Sequence, residues 1–330
     1  MPLLLTEADV KSILTMPLAL EAVEKSFRLL ADGSATLHPR QRLHLPKKAL
    51  LHYMAATNAT DGYMGLKIYS ISQQGGRFLV TLFKDTGELV ALIEADYLGQ
   101  ARTGAASGVA TRLMARADAR TVGIIGTGLQ ARTQLEAIAN VRKLERIRAF
   151  GRDQQRREQF AAEMTNRLHL PVEPVASAEQ AVRDADIIVT STNSVNPVVE
   201  GRWLQPGMHI NAIGSNFAHK RELDTEAVGR CDVIVADSIE QSKMEAGDFI
   251  LAFGDDVSAW SKVQELADLV ADKAPGRTDP RQITIFKSNG VATEDIVVAG
   301  RIYELARERK MGREVPMWED EARSVVNRGV

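Results

Sequence analysis

One stretch constrains this chain more than any other: an apolar run that ends in a glycine-rich turn and passes into a helical pattern, Thr121-Val-Gly-Ile-Ile-Gly-Thr-Gly-Leu-Gln-Ala131. Val122 to Ile125 has the composition of a buried parallel strand, and behind the turn Leu135, Ile138 and Ala139 recur at helical spacing. Gly126 can make the tight turn, Gly128 can admit a pyrophosphate to the backbone, and Ala131 can let helix and strand pack closely. The free N–H groups at the helix start then favour phosphate. The order strand, glycine turn, helix predicts a dinucleotide site.

With 330 residues the chain can build two cores. A net charge of −2 offers no general attraction to nucleic acid or to a lipid surface. One cysteine, Cys231, excludes an internal disulfide and a CxxC motif. No apolar stretch approaches the ~20 residues of a membrane span. The opening Met-Pro-Leu-Leu-Leu-Thr-Glu has no basic region ahead of its short apolar run, so it does not read as a secretion signal. The expectation is a cytoplasmic enzyme.

Ahead of the glycine turn, Thr6 offers a cap for a helix carrying Val10, Ile13 and Leu14. Pro17 suits the first turn of a second helix with Leu20, Val23, Phe27 and Leu30, closed by Gly33. From His38 to about Ile93 the period becomes two, in runs at Arg42–Leu45, Leu51–Ala55, Leu66–Ser70, Phe78–Phe83 and Leu89–Ile93, which predicts a mostly antiparallel sheet. A helix rich in Gly, Ala and Ser follows from near Asp96 to Arg116. From Thr121 to about Ser288 strands alternate with helices, at Val122–Ile125, Ile147–Phe150, Val172–Val175, Ile187–Thr190, His209–Ile213, Val233–Ala236 and Thr284–Lys287. A helix from Glu294 to Arg309 then returns the chain to the first domain. The fold class is therefore α/β: a Rossmann-type, doubly wound parallel sheet over 119–300, and a second, α+β domain from 1–118 with 301–330.

An acidic residue at the end of the second strand usually takes the ribose 2′-hydroxyl of NAD. Here that strand, Arg146-Ile-Arg-Ala-Phe150, ends in Gly151-Arg152-Asp153, with Arg156 and Arg157 a turn later. A guanidinium at Arg152 can pair with a 2′-phosphate, so the expected cofactor is NADPH, with NADH possible. Asp153 is expected to cap the next helix.

The six histidines are scattered without metal-ligand spacing, and no Gly-x-Ser-x-Gly elbow occurs. Cations in the first sheet are more informative. Alternation puts Arg40, Arg42 and His44 on one face against Leu43 and Leu45, and Lys67 and Tyr69 against Leu66 and Ile68. Lys67 is open to two readings, the wet side of a half-buried sheet or a functional amine. Arg102 is a long cation among small residues on a packing helix, which calls for an anionic partner such as a cofactor diphosphate.

Five separated motifs carry a resemblance. Pro39-Arg-Gln-Arg42-Leu-His, Gly65-Leu-Lys67, Ala101-Arg102-Thr103-Gly-Ala-Ala-Ser, Ile125-Gly-Thr-Gly-Leu-Gln-Ala, and Gly214-Ser-Asn216-Phe-Ala-His-Lys220-Arg-Glu-Leu-Asp224 occur in this order. Together they resemble the ornithine cyclodeaminase/mu-crystallin family over nearly the whole chain. The resemblance implies a homodimer whose first-domain sheets meet, with a nicotinamide cofactor and a small imino- or amino-acid in the interdomain cleft. It implies that Arg42, Lys67 and Arg102 surround the substrate carboxylate, and that Asn289 also meets the substrate. Around the cofactor it implies Thr81, Arg102, Thr103, Gly126, Thr127, Gly128, Leu129, Gln130, Arg152, Thr192, Ile213 and Ser288.

One departure matters. Cyclodeaminases of this family carry an aspartate where this chain has Asn216, and an amide has no comparable acid–base role at neutral pH. Ketimine reductases like mu-crystallin also lack that aspartate. With Lys67, Arg42 and Asn216 as the catalytic group, the resemblance points to an NAD(P)H-dependent reductase of a small cyclic 2-imino acid. Δ1-pyrroline-2-carboxylate would give L-proline, and Δ1-piperideine-2-carboxylate would give L-pipecolate. The alternatives are an ornithine cyclodeaminase or alanine dehydrogenase-type oxidoreductase using NAD, and a non-enzymatic NADPH-binding protein.

Overall fold

The computed structural model describes residues 1–45, 49–72 and 75–318. The last part of the segment assigned to the first domain, 319–330, lies outside the described residues. The chain opens with β1 (Leu3–Leu5), α1 (Glu7–Ile13) and α2 (Met16–Asp32), then β2 (Ala35–Leu45), β3 (Ala49–Asn58), β4 (Tyr63–Ser72), β5 (Gly75–Lys84) and β6 (Leu89–Glu94). Thr6 closes a capping box with Asp9, and Gly33 ends α2 in the left-handed region at φ 80°. Both ends were readable from residue type alone. Among the described residues the first sheet runs β15-β1-β6-β5-β4-β3-β2, with β15 at Arg313–Glu314. Its pairs are antiparallel except β1 with β6.

The helix α3 (Asp96–Met114) crosses to the second half, where β7 (Thr121–Ile125), α4 (Leu129–Val141), β8 (Arg146–Phe150), α5 (Gln154–Leu168) and β9 (Val172–Pro174) follow. Short helices α6 (Ala178–Val182), α7 (Thr225–Gly229), α8 (Ile239–Glu245), α9 (Gly247–Phe253), α10 (Val257–Trp260) and α11 (Leu266–Val270) punctuate the remaining strands. Those strands are β10 (Ile187–Thr190), β11 (His209–Ala212), β12 (Val233–Ala236), β13 (Val263–Glu265) and β14 (Thr284–Lys287). Their order, β13-β12-β14-β11-β10-β7-β8-β9, is parallel throughout. The connections reverse between β7 and β10, the switch point at which such sheets bind nucleotides. The sequence reading did not include β13, whose three residues are too short to show a period.

The last long helix, α12 (Ala292–Glu308), returns to the first sheet and packs on α2, α3, β3 and β4. This packing starts early in the helix, since Ile296 lies against Gly65, and the expected boundary at residue 300 falls inside α12. The largest apolar core runs from the first sheet through α2, α3 and α12 to Val235 and Phe286 of the second.

Alternation in β2 holds only in part. A bulge falls between His38 and Gln41, and Arg40 and Arg42 turn toward α12 and the second half. Leu43 and Leu45, placed by alternation on the face opposite Arg42, are 58% and 63% exposed, and His44 is exposed as well. Among the described residues no layer covers the outer face of this end of the sheet.

Small residues on α3 let α4 come close. A Cβ at Gly104 would overlap the Thr133 carbonyl, and one at Gly108 would meet Leu20 and Ala137. Gly104→Ala must therefore push α3 and α4 apart, at a cost of about 1–3 kcal/mol for overpacking. Urea unfolding measures it, and an unchanged midpoint would contradict this packing.

Candidate active site

A cleft of about 840 Å³ opens where β7, β8, β10 and β11 end. Its walls come from the glycine turn with Thr127, Leu129 and Gln130, from Arg152 and Arg156 after β8, and from Thr192 and Ile213 after β10 and β11. Gly76 and Phe78 of β5, with Asp96 and Gln100 of α3, close the other side. Gly126 has φ 108°, a region that L side chains rarely adopt, and a Cβ there would strike the Ser191 carbonyl. At Gly128 nothing lies within 4 Å of the Cβ position, and α4 starts behind it with no side-chain cap. Open backbone, uncapped N–H groups and a cleft of this size fit a dinucleotide diphosphate.

Asp153 caps α5, accepting from the Arg156 N–H at 2.8 Å, as its position in the sequence suggested. Arg157 is engaged elsewhere: it donates to the Gly151 carbonyl at 2.8 Å and lies over Phe150. Four residues of the implied cofactor set do not line this cleft: Arg102, which is buried against Asp295 and Glu294, and Thr81, Thr103 and Ser288. Thr81 pairs with Leu66 while Lys67 pairs with Val80, so Thr81 sits on the opposite face of the sheet from Lys67. Thr103 Oγ1 turns back onto the Gly99 carbonyl at 2.8 Å within α3. Ser288 is buried and donates to Asp237 at 3.3 Å.

The cations converge next to α3. Lys67 is 3% exposed and its Nζ lies 2.7 Å from Asp295 Oδ1. Arg102 Nε donates to the same oxygen at 3.1 Å, and its Nη1 donates to Glu294 Oε2 at 2.8 Å. Gly99 leaves room for the amine, since a Cβ there would lie 3.0 Å from Lys67 Nζ. Arg40 and Arg42 share Glu245, and Arg40 also donates to the carbonyls of Asn289 and Gly290 at 2.8 and 3.0 Å. Arg42 donates to the Asn216 carbonyl at 2.7 Å and lies over the Phe217 ring. Asn216 thus joins the site through its main chain. The Asn289 amide donates to Ser242 and Asp237, and its Oδ1 has no hydrogen-bond partner among the described residues.

Burial sets the titration behaviour here. It pulls the Lys67 amine down, Asp295 pulls it back and Arg102 opposes, leaving it at about 8. Burial also lifts the Glu294 carboxyl to about 8, against the pull of Arg102 and with a push from Asp237 and Asp295. For Arg102 burial is outweighed by Asp295 and Glu294, so its guanidinium sits above the ordinary value. His52 stacks on Tyr69 at 4.3 Å, and burial with the nearby Arg42 and Arg40 lowers it to about 4, a neutral imidazole at physiological pH.

The structure gives Lys67, Arg42 and Arg102, all named from the sequence, ionic partners that the sequence did not reveal. The anion sought for Arg102 was a diphosphate; within the chain the partners are Asp295 and Glu294. A signal was available, because two adjacent carboxylates in the run Val291-Ala-Thr-Glu-Asp-Ile-Val-Val298 need a buried cation. Glu222 was missed as well. Its carboxylate accepts from Thr190 Oγ1 at 2.8 Å, from the Thr192 N–H at 2.5 Å and from the Gly214 N–H at 2.8 Å, tying together the loops after β10 and β11.

Comparison with known proteins adds to this geometry. The model of the ornithine cyclodeaminase/mu-crystallin family matches residues 1–310. A Δ1-pyrroline-2-carboxylate reductase of Bacillus cereus is 39% identical over 231 residues, 70% of this chain and 71% of that protein. The structure of Thermococcus litoralis Δ1-pyrroline-2-carboxylate reductase in complex with NADH and L-proline has a TM-score of 0.91 at 35% identity, covering 95% of this chain and all of that one (100%). An archaeal alanine dehydrogenase dimer with bound NAD has a TM-score of 0.90 at 33% identity, covering 96% and 99% of the two chains.

Glu222 yields a test. Glu222→Ala leaves the N–H groups of Thr192 and Gly214 without their acceptor and loosens one wall of the cleft. Dinucleotide affinity, read by fluorescence titration, should fall about tenfold, the equivalent of ~1.4 kcal/mol. Unchanged affinity would remove Glu222 from the cleft's support.

Proposed function

The chain belongs to the ornithine cyclodeaminase/mu-crystallin family, and within it we propose a reductase of a small cyclic 2-imino acid, with five- and six-membered ring imines as candidate substrates and NADPH as the preferred reductant. The observation that carries this reading is the buried Lys67 amine, titrating near 8 between Asp295 and Arg102. The helix α3 holds Gly99 against that amine and presents the adjacent Gln100, and Asp96 a turn earlier, to the dinucleotide cleft.

The charge balance suits an incoming acid. Arg40, Arg42, Lys67 and Arg102 face Glu245, Asp237, Glu294 and Asp295, and Glu294 is mostly a neutral acid at pH 7. Net positive charge is thereby left for the substrate carboxylate, and the half-buried Arg42 with the buried Lys67 and Arg102 are the groups to receive it. Held at Gly126, Gly128, Arg152 and Thr192, a reduced nicotinamide dinucleotide would supply the hydride taken up by the C=N carbon. Lys67 holds the proton that the imine nitrogen takes up, and a donor titrating near the operating pH is well matched to that transfer. Asn216 brings an amide where an acid would assist ammonia loss, so reduction is favoured over cyclodeamination.

Arg152 and Arg156 on the cleft wall support NADPH, while the relatives solved with NADH and NAD support a site that also takes the unphosphorylated form. A homodimer is supported by the archaeal dimer and by Leu43, Leu45, Met64 and Ile71, large apolar residues exposed on the first sheet. The likeness to alanine dehydrogenase favours a second reading, oxidation of an amino acid with NAD. Steady-state assays with both cyclic imines, and with L-alanine and L-ornithine in the oxidative direction, separate the two.

Lys67→Met should lower imine turnover about 100-fold or more, with dinucleotide affinity changed by about twofold at most. Near-normal turnover in that variant refutes the role. Arg152→Ala should reduce the NADPH-to-NADH ratio of kcat/KM about tenfold, as expected for loss of a charge-assisted pair. A ratio that stays put withdraws the 2′-phosphate assignment.

A further inference from the structure

We propose that Asp295 is a positioning residue that fixes the place and the protonation state of the Lys67 amine, which rests on the reading that Lys67 meets the substrate. One carboxylate oxygen does both jobs. Asp295 Oδ1 lies 2.7 Å from Lys67 Nζ and 3.1 Å from Arg102 Nε, so a strand, a crossing helix and the returning helix α12 meet at a single atom. The Asp295 side chain has no exposed surface, and its Oδ2 has no hydrogen-bond partner among the described residues. It sits in the first turn of the 17-residue α12, where the positive end of the helix favours a carboxylate.

The surroundings explain why this carboxylate is needed. Burial alone drives a lysine toward its neutral form, and the cations nearest Lys67 act in the same direction: Arg102 from α3 and Arg40 from β2. Arg42 of β2, His52 of β3, Tyr69 of β4, Glu245 of α8, Asp237 after β12 and Glu294 of α12 complete the charged and titratable ring. Among these groups Asp295 is the one that bonds the amine directly, and both its charge and its hydrogen bond favour the ammonium. Remove that charge without changing the shape, and a larger share of the amine enters the reaction deprotonated. That share has no proton to give to the substrate nitrogen.

The test is the pH dependence of kcat/KM for imine reduction in Asp295→Asn, between about pH 6 and pH 10. The activity limb attributed to Lys67 should move toward acid by at least about one pH unit, a tenfold change in proton affinity. A titration of ¹³Cε-labelled lysines by NMR, with the resonance assigned by its loss in Lys67→Met, should show the same displacement without any turnover. Arg102→Gln provides the opposite sign, since it removes a repelling cation from the shared oxygen, so the Lys67 resonance must titrate at higher pH. It also keeps the proposal testable if Asp295→Asn fails to fold. A Lys67 resonance that titrates as in the parent protein in either variant overturns the proposal. If Lys67→Met remains active, the functional reading fails instead; if it is inactive while the limb stays in place, only the role of Asp295 fails.

Discussion

Buried charge at the joint between two sheets is the constraint on which this structure depends. Arg40 and Arg42 leave the first sheet to share Glu245 on α8, and Lys67 and Arg102 meet Asp295 and Glu294 on α12. Each pair was taken out of water, and the desolvation of its two ions offsets most of their attraction. Such a network adds little net stability, but breaking one partner leaves an uncompensated charge costing about 3–5 kcal/mol. The two halves are therefore held in one relative placement. The dinucleotide cleft and the cationic cluster inherit that placement through α3, which touches both.

The same network governs chemistry. A site with as many carboxylates as cations has no evident appetite for an acidic substrate. Burial changes this by lifting Glu294 to about 8, so that the cluster carries a net positive charge near neutral pH. It also lowers Lys67 to about 8, close to the pH at which a proton donor is most effective. Two groups that titrate in the same range, one acid and one base, lie on either side of Arg102 and Asp295.

Much of the fold was legible because the relevant forces are local. The strands Ile187–Thr190 and Val233–Ala236 are short, almost wholly apolar runs buried on both faces, and composition alone delimits them. Gly126 announced the cleft because its backbone conformation and the nearby Ser191 carbonyl exclude a side chain, and Gly128 because it leaves the cleft wall open. What escaped was tertiary. Alternation gives the face of Lys67 but not the helix that covers it, so Asp295, 228 positions away, could not be paired with it. Thr81 shows the converse: its place in the motif suggested a cofactor contact, yet period-two geometry turns it to the other face of the sheet. Leu43 and Leu45 followed the expected alternation, but among the described residues no layer covers them.

The central claim is that the carboxylate and nitrogen of a 2-imino acid are received by the cluster around Lys67. A crystal structure with oxidised dinucleotide and L-proline or L-pipecolate tests it most directly. The account predicts the amino-acid carboxylate on Arg42, Lys67 or Arg102, with Lys67 Nζ within about 3 Å of a polar atom of the ligand. A ligand bound elsewhere, with Lys67 still sealed against Asp295 and touching nothing else, would contradict it.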